Sequence, residues 1–301
     1  MRKTLSVFLL LFAVCACNPS PHKDPNIFRR EKRYSQGFKV DAAWIALEWG
    51  GKLNGFGSGF LIDRAKGAFY TNRHVSNIFD SLGKDSHKLF FNERVYNTEI
   101  VRTLTLTDAS LIRITGSFDF SGFPEPAPIS KEKVKIGDKV VIEGFHPHPY
   151  WVREADNAAG CHNILVPILR DYYEMNTRFV EKDMEIVFEK LSAQVVNLNV
   201  EGVLQVKPGD IAGEARNRSN LYIQIKTDRD HRFSFGGLSG SAVRNLKGEV
   251  IGIVTLEKSH FRPDQKKTEE KQDGQMYLVQ VFDTVLVTPI ESVEVLRQYL
   301  K

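Results

Sequence analysis

The run Gly236-Gly237-Leu238-Ser239-Gly240-Ser241-Ala242-Val243, followed by Gly248-Glu249-Val250-Ile251-Gly252-Ile253-Val254, sets a glycine-flanked serine at the head of two apolar, strand-like stretches. Two partners stand far upstream. Gly57-Ser58-Gly59-Phe60-Leu61-Ile62 leads to Tyr70-Thr71-Asn72-Arg73-His74-Val75, and Thr107-Asp108-Ala109-Ser110-Leu111-Ile112-Arg113-Ile114 opens a further apolar stretch with an acid. Taken singly, these are a tight turn, a histidine at a strand end and a common strand start. Taken together they place His74, Asp108 and Ser239 in that order along the chain. A serine hydroxyl is a poor nucleophile at neutral pH and needs a base to take its proton. An imidazole, with a pKa of about 6.5, can take that proton and later give it up. A carboxylate on the other ring nitrogen fixes the tautomer and stabilises the transient imidazolium.

Around these motifs short β-type runs dominate. A first series covers 42–49, 57–63, 68–71, 88–91, 94–101 and 109–114; a second covers 139–145, 203–206, 221–226, 241–244, 249–256 and 276–287. Strands at this density without intervening helices predict antiparallel sandwiches or barrels. Phe123-Pro124-Glu125-Pro126-Ala127-Pro128 divides a first unit, 37–122, from a second, 123–301. Within about 147–199, Ile164, Leu165, Ile168, Leu169, Tyr172 and Tyr173 recur at helical spacing, as do Met184, Val187, Phe188 and Leu191. This predicts one or two inserted amphipathic helices, either capping the second unit or covering a cleft. The tail after Pro289 has apolar spacings of three and four, which predict a short helix packed on the second unit.

Composition narrows the class. The chain has 301 residues, 42% of them hydrophobic and 26% charged. That is the make-up of an ordinary packed globule; wholesale disorder and a polytopic membrane protein are excluded. The formal net charge of +4, from 41 Lys and Arg against 37 Asp and Glu, is too small and too dispersed for a nucleic-acid surface. Three cysteines, with Cys15 and Cys17 both close to the amino terminus, exclude a disulfide scaffold. His146-Pro147-His148 with Cys161-His162 matches no usual zinc spacing, so no metal is expected.

With T-x-x-H-V at 71–75 and G-x-S-G-S at 237–241, the sequence resembles the chymotrypsin-fold (trypsin-like) serine endopeptidases, and most nearly their bacterial branch with the HtrA-type and glutamyl endopeptidases. The likeness covers about residues 40–298 and leaves 147–199 unmatched. It implies an all-β fold of two six-stranded antiparallel barrels, with a helical insertion in the second barrel, a short C-terminal helix and an active site between the barrels. It also implies roles: Ser239 as nucleophile, His74 as general base and then acid, Asp108 as orienting carboxylate, and the backbone N–H groups of Gly237 and Ser239 as oxyanion donors. The implied reaction is hydrolysis of peptide bonds through an acyl-enzyme, without a cofactor, on protein or peptide substrates held in extended form beside edge strands.

Departures from the family pattern matter too. Leu238 stands where trypsin carries the acid that pairs with a new amino terminus, and no Ile-Val-Gly-Gly start precedes the barrel. The oxyanion loop is therefore expected to form without that route, constitutively or with help from the insertion. Phe233, six residues before Ser239, occupies the place of trypsin's pocket-floor acid, so Arg-or-Lys preference by that device is not expected. The pocket would be lined by roughly 232–238, 254–257 and 277–280. Glu257, His231 and Arg232 read as surface charges, and 262–274 as a solvated loop at the pocket rim. Two other functions fit the same residues: a binding or scaffold lipoprotein that keeps the barrels without turnover, and a hydrolase of small esters or amides.

The amino terminus reads as an address. Arg2 and Lys3 precede an apolar run, Leu5 to Ala16. As a helix that run spans only ~18 Å, short of a hydrocarbon core of about 30 Å. This is the pattern of a signal peptide, residues 1–16. Val14-Cys15-Ala16-Cys17 resembles a bacterial lipobox, which implies cleavage before Cys17 and lipidation of that residue; an ordinary secretory signal is the alternative. Residues 17–36, with three prolines and the cluster Arg29-Arg30-Glu31-Lys32-Arg33, read as a tether from a membrane anchor to the fold. Asn18 is not the aspartate linked to inner-membrane retention in enterobacteria, so the expected location is the bacterial envelope and, in a Gram-negative host, the periplasmic side of the outer membrane.

Overall fold

Alternating apolar residues between Ala42 and Ile114 need a covered face, and six antiparallel strands provide it by closing on themselves. A computed structural model describes residues 40–49, 52–76, 87–92, 94–149, 164–165, 184–203, 219–231, 234–271 and 275–300. The first barrel comprises β1 (Ala42–Trp49), β2 (Lys52–Asp63), β3 (Ala68–Asn72), β4 (His87–Phe91), β5 (Arg94–Leu104) and β6 (Ala109–Ile114), in the closed order β1-β2-β3-β6-β5-β4. Its interior holds Ala43, Ile45, Leu61, Phe69, Leu89, Phe91, Ile112 and Ile114. Phe123 packs edge-on against Phe91, with ring centroids 4.8 Å apart, so the connector to the second barrel leaves only after that residue.

The second barrel is built from β7 (Lys139–Pro149), β8 (Ile164–Leu165), β9 (Met184–Val203), β10 (Ser219–His231), β11 (Ala242–Asn245), β12 (Val250–Pro263) and β13 (Leu278–Pro289). β10 pairs with both β13 and β9, so β9-β10-β13-β12-β11-β7 form a ring of six, with the two-residue β8 added outside β9. Val140, Ile142, Leu191, Val195, Ile225, Leu238, Val254, Val285 and Val287 fill it. Both barrels lie in one compact unit, Gln36–Lys301.

Where the barrels meet, both faces of a strand are covered. Phe69 faces the first core while Ala68 and Tyr70 face outward onto Ala242, Val250 and Ile253, which explains why all of β3 is buried. The same interface holds a mostly buried ion network. Arg244 sits between Asp41, at 2.6 Å, and Glu143, at 2.8 Å, linking the entry of β1 to β11 and β7.

Two helical expectations change. Met184, Val187, Phe188 and Leu191 lie on β9, a strand of 20 residues, rather than on an inserted helix. The buried apolar set is Ile186 and Phe188, then Leu191, Ala193 and Val195. That is a two-residue alternation that switches face between Phe188 and Leu191, and the switch produces a spacing of three that imitates a helix. Ile164 and Leu165 form β8; Ile168, Leu169, Tyr172 and Tyr173 lie outside the described residues, as do the expected signal peptide, Cys17 and the tether.

The tail forms two 3-10 turns, Ile290–Ser292 and Glu294–Tyr299. The buried Ile290, Val293 and Leu296 recur every three residues, the period that aligns side chains on a 3-10 helix. They do not pack on the second barrel alone: with Leu300 they share one cluster with Phe60, Ile62, Tyr70 and Leu111 of the first. Tyr70 Oη–H donates to Glu294 Oε1 at 3.1 Å, and Arg297 Nη2–H to the Ile62 carbonyl at 2.9 Å. Among the described residues, no helix is long and apolar enough to cross a membrane.

Candidate active site

His74 and Asp108 are brought together by strand pairing. Asn72, the last residue of β3, pairs with Ala109, the first of β6. The residues just beyond that rung, the one-turn α1 (Arg73–Ser76) and Asp108, are therefore neighbours by construction. Asp108 has φ 50, in degrees, on the positive side. Asp tolerates this left-handed conformation better than most residues. Its carbonyl accepts from Arg73 N–H at 2.9 Å and from Asn72 Nδ2–H at 3.1 Å. Its carboxylate accepts from His74 N–H at 3.0 Å through Oδ1 and from the His74 ring at Nδ1, 2.5 Å away, through Oδ2. The Asp108 side chain is 4% exposed and that of His74 39%, so the carboxylate is shielded while the ring reaches solvent. With Nδ1–H donating to the carboxylate, Nε2 carries the lone pair of a base.

Ser239 arrives from the other barrel. The carbonyls of its loop are tied to Ser58 on β2: Ser58 N–H donates to Ser239 O at 2.7 Å and Ser58 Oγ–H to Gly237 O at 3.0 Å. Ser58 Oγ also accepts from Phe145 N–H at 2.9 Å, and Thr71 Oγ1–H donates to the Ser58 carbonyl at 2.7 Å. One hydroxyl thus fastens β7 and the Ser239 loop to the first barrel. Gly240, with a positive φ, has room for nothing larger, because a Cβ there would stand 1.9 Å from Ser58 O. At Gly57 a Cβ would meet Val75 Cγ2 at 2.5 Å and Ser239 O at 3.0 Å. The residue after His74 and the backbone of Ser239 therefore crowd the same point.

While the loop carbonyls are engaged, the N–H groups of Gly237 and Ser239 have no protein acceptor among the described residues. No hydrogen bond joins Ser239 Oγ to the His74 ring among those residues either; such bonds commonly tighten only when substrate binds. Ser239 is half-buried.

Sequence reading missed several supporting groups. Asn72 Nδ2 also lies 3.3 Å from Thr255 Oγ1, which pairs with Thr288 Oγ1 at 2.7 Å, and Thr288 donates to Thr107 O at 3.2 Å. This chain links the Asp108 turn to β12 and β13. No local pattern marks it, since Ser and Thr are common strand residues. Glu257, expected as a surface charge, is half-buried and accepts from Ser234 Oγ–H at 2.6 Å and Phe235 N–H at 2.5 Å. Leu238, in place of an acid, is fully buried in the second core.

His231 is also buried rather than a surface charge. Burial lowers its pKa first; the carboxylates of Glu189 and Asp230 oppose that shift, and His146 and Arg229 reinforce it. His146 and Glu189 face one another at 2.7 Å, both fully buried. Among the described residues no group of three or more His, Cys, Asp or Glu could hold a metal ion. His148, Cys161, His162, Arg232 and Phe233 lie outside the side chains described. Within the expected solvated loop at 262–274, Arg262 and Pro263 end β12 and are followed by α2 (Gln265–Lys271), while 272–274 lie outside the described residues.

Two antiparallel barrels with a histidine–carboxylate couple and a serine loop at their junction define a protein of the trypsin-like class. The chain belongs to the trypsin-like peptidases: the model of the trypsin-like peptidase domain matches residues 57–253. It is a peptidase by family, which implies protein substrates. No curated protein matches the chain. Among solved structures it is similar to the Rv3671c protease in its inactive form, at 15% identity and a TM-score of 0.48, covering 86% of this chain and 88% of the other. The active form of that protease, from M. tuberculosis, is similar at 14% identity and a TM-score of 0.48, covering 90% of this chain and 86% of the other.

Proposed function

We propose that this peptidase is a serine endopeptidase in which Ser239 is the nucleophile. The observation that carries the reading is the buried Asp108 carboxylate on His74 Nδ1, beside a serine loop whose carbonyls are held and whose amides are unused. In this mechanism His74 Nε2 takes the Ser239 Oγ proton as the hydroxyl oxygen attacks the scissile carbonyl. The N–H groups of Gly237 and Ser239 stabilise the oxyanion, a contribution of roughly 3 kcal/mol per donor in such sites. The imidazolium, stabilised by Asp108, then protonates the leaving amine, and an acyl-enzyme remains on Ser239. Water, activated by the same imidazole, attacks the ester and restores the serine.

The loop needs no zymogen cleavage in this account. Leu238 places an apolar side chain in the second core where a buried acid would require an amino-terminal partner, and Ser58 and Glu257 hold the loop from either side. A fluorophosphonate probe tests the reading: the intact chain labels without proteolytic nicking, while Ser239→Ala and His74→Ala do not. Equal labelling of all three, or of none, defeats it.

The chain is further proposed to be lipid-anchored through Cys17 at the envelope, on the strength of the Val14–Cys17 motif. Metabolic labelling with a radioactive fatty acid checks this, with Cys17→Ala expected to lose the label.

A further inference from the structure

The residue whose carbonyl is attacked has little choice of where its side chain lies. With the carbonyl oxygen on the N–H groups of Gly237 and Ser239, that side chain starts two bonds from the reacting carbon and rests against whatever flanks those amides. Two described segments do so. One is 234–238, which runs into Ser239. The other is β12 around Val254, tied to the serine turn by Gly240 N–H donating to Val254 O at 2.9 Å and Val254 N–H donating to Ser241 O at 3.0 Å. The recess for the residue before the cut therefore opens between 234–238 and Val254–Glu257.

One side chain crosses that recess and joins its walls. Glu257 Oε1 accepts from Ser234 Oγ–H at 2.6 Å, and Glu257 Oε2 from Phe235 N–H at 2.5 Å. Ser234 Oγ in turn accepts from Gly236 N–H at 2.9 Å, so the bridge runs on to the residue before Gly237. Hydrogen bonds accepted by a carboxylate are about twice as strong as neutral ones. Neither wall is free to retreat. Phe235 is buried, its ring centroid 5.0 Å from that of His231 and 6.4 Å from that of Phe282, and Val254 is buried in the second core. A bulky side chain entering between the walls would have to break both hydrogen bonds and leave a half-buried carboxylate unpaired. A basic side chain meets the same obstruction with both carboxylate oxygens already engaged, and an acidic one meets a like charge.

We infer that Glu257 determines which residue this peptidase accepts before the scissile bond. Its side chain bars the recess, admits glycine, alanine or serine on the acyl side of the cut, and turns away large or charged residues. The inference rests on the serine-peptidase reading and narrows its substrate class, to polypeptide segments with a small residue at that position.

The test uses the full chain and a set of internally quenched fluorescent peptides, identical except for Ala, Leu, Phe, Lys or Glu before the cut. In the native protein kcat/KM for the Ala peptide should exceed that for each of the others by about 10²-fold. The readout for variants is the Phe-to-Ala ratio of kcat/KM, from which a general loss of activity through a loosened loop cancels. Glu257→Ala should raise that ratio by roughly tenfold or more, because it empties the recess. Glu257→Gln, which keeps the length of the side chain, should leave the ratio within about threefold of native. Preference for Phe, Leu, Lys or Glu in the native chain overturns the proposal, as does a ratio unmoved by Glu257→Ala. A Gln variant that relaxes the ratio as far as Ala overturns the steric account as well. Fluorophosphonate labelling at Ser239 without cleavage of the Ala peptide refutes the role of Glu257 and leaves the serine mechanism standing. Cleavage that keeps the expected ratios but survives Ser239→Ala does the reverse, and absence of both labelling and cleavage overturns both.

Discussion

The two halves of the candidate site are assembled by different means. His74 and Asp108 come from adjacent strands of one barrel, where the Asn72↔Ala109 rung places them side by side and the Thr255 and Thr288 hydroxyls of the second barrel only brace the turn. The Ser239 loop has no such local guarantee: its carbonyls are fixed by Ser58 of the other barrel and its outer turn by Glu257. One half is a product of strand register, the other of docking. Damage to the first should spoil the chemistry and spare the fold, whereas damage to the second should spoil both.

The comparison breaks most sharply at the reacting groups. Ser239→Ala removes the proposed nucleophile but none of the carbonyls that dock its loop, so it should lower kcat by on the order of 10⁶ with no loss of thermal stability, as removal of a triad serine does elsewhere. Asp108→Asn should lower it by roughly 10⁴, because the amide no longer enforces the Nδ1–H tautomer. A folded, poorly active protein is the expected outcome, and loss of the thermal transition would contradict the independence of that half.

Docking is probed by Ser58→Ala, which removes the hydroxyl shared by Gly237 O and Phe145 N–H. It should destabilise by roughly 1–3 kcal/mol, the cost of buried groups left unpaired. Peptidase activity should fall by about 10²-fold as the Gly237 and Ser239 amides, the proposed oxyanion donors, lose their setting. The downfield NMR signal of the His74 Nδ1 proton should persist; its disappearance would mean that the halves are not separable.

The smallest effect is a pH dependence confined to the second barrel. His231 has a pKa below the ordinary 6.5 because it is buried. The unfolded chain therefore binds its proton more readily than the folded one. Its contribution to stability is complete above about 6.5 and is lost as pH falls through the lowered folded value. Thermal midpoints measured across that window should decline toward acid, and less so in His231→Gln.

The sequence carried His74, Asp108 and Ser239 legibly because each belongs to a short contiguous motif. The strands of the first barrel were legible for a similar reason, since Ala42 to Ile114 alternates or runs apolar between turn residues. β9 was not, because its inward face changes between Phe188 and Leu191 and any single-period reading averages over that switch. Ser58, Thr71, Thr255 and Thr288 were invisible for another reason: a hydroxyl on a strand acquires meaning only from the carbonyl it meets, 179 residues away in the case of Ser58 and Gly237. Glu257 reads as a solvent charge until the Ser234–Phe235 turn is brought against it.

Local sequence, then, determined what could react and which stretches could be strands, since both depend on residue type and near-neighbour periodicity. Tertiary structure decided which serine hydroxyl pins the loop and which carboxylate is buried. Those outcomes depend on contacts between segments distant in the chain, and such contacts are set by the packing of two curved sheets rather than by any pattern within either one.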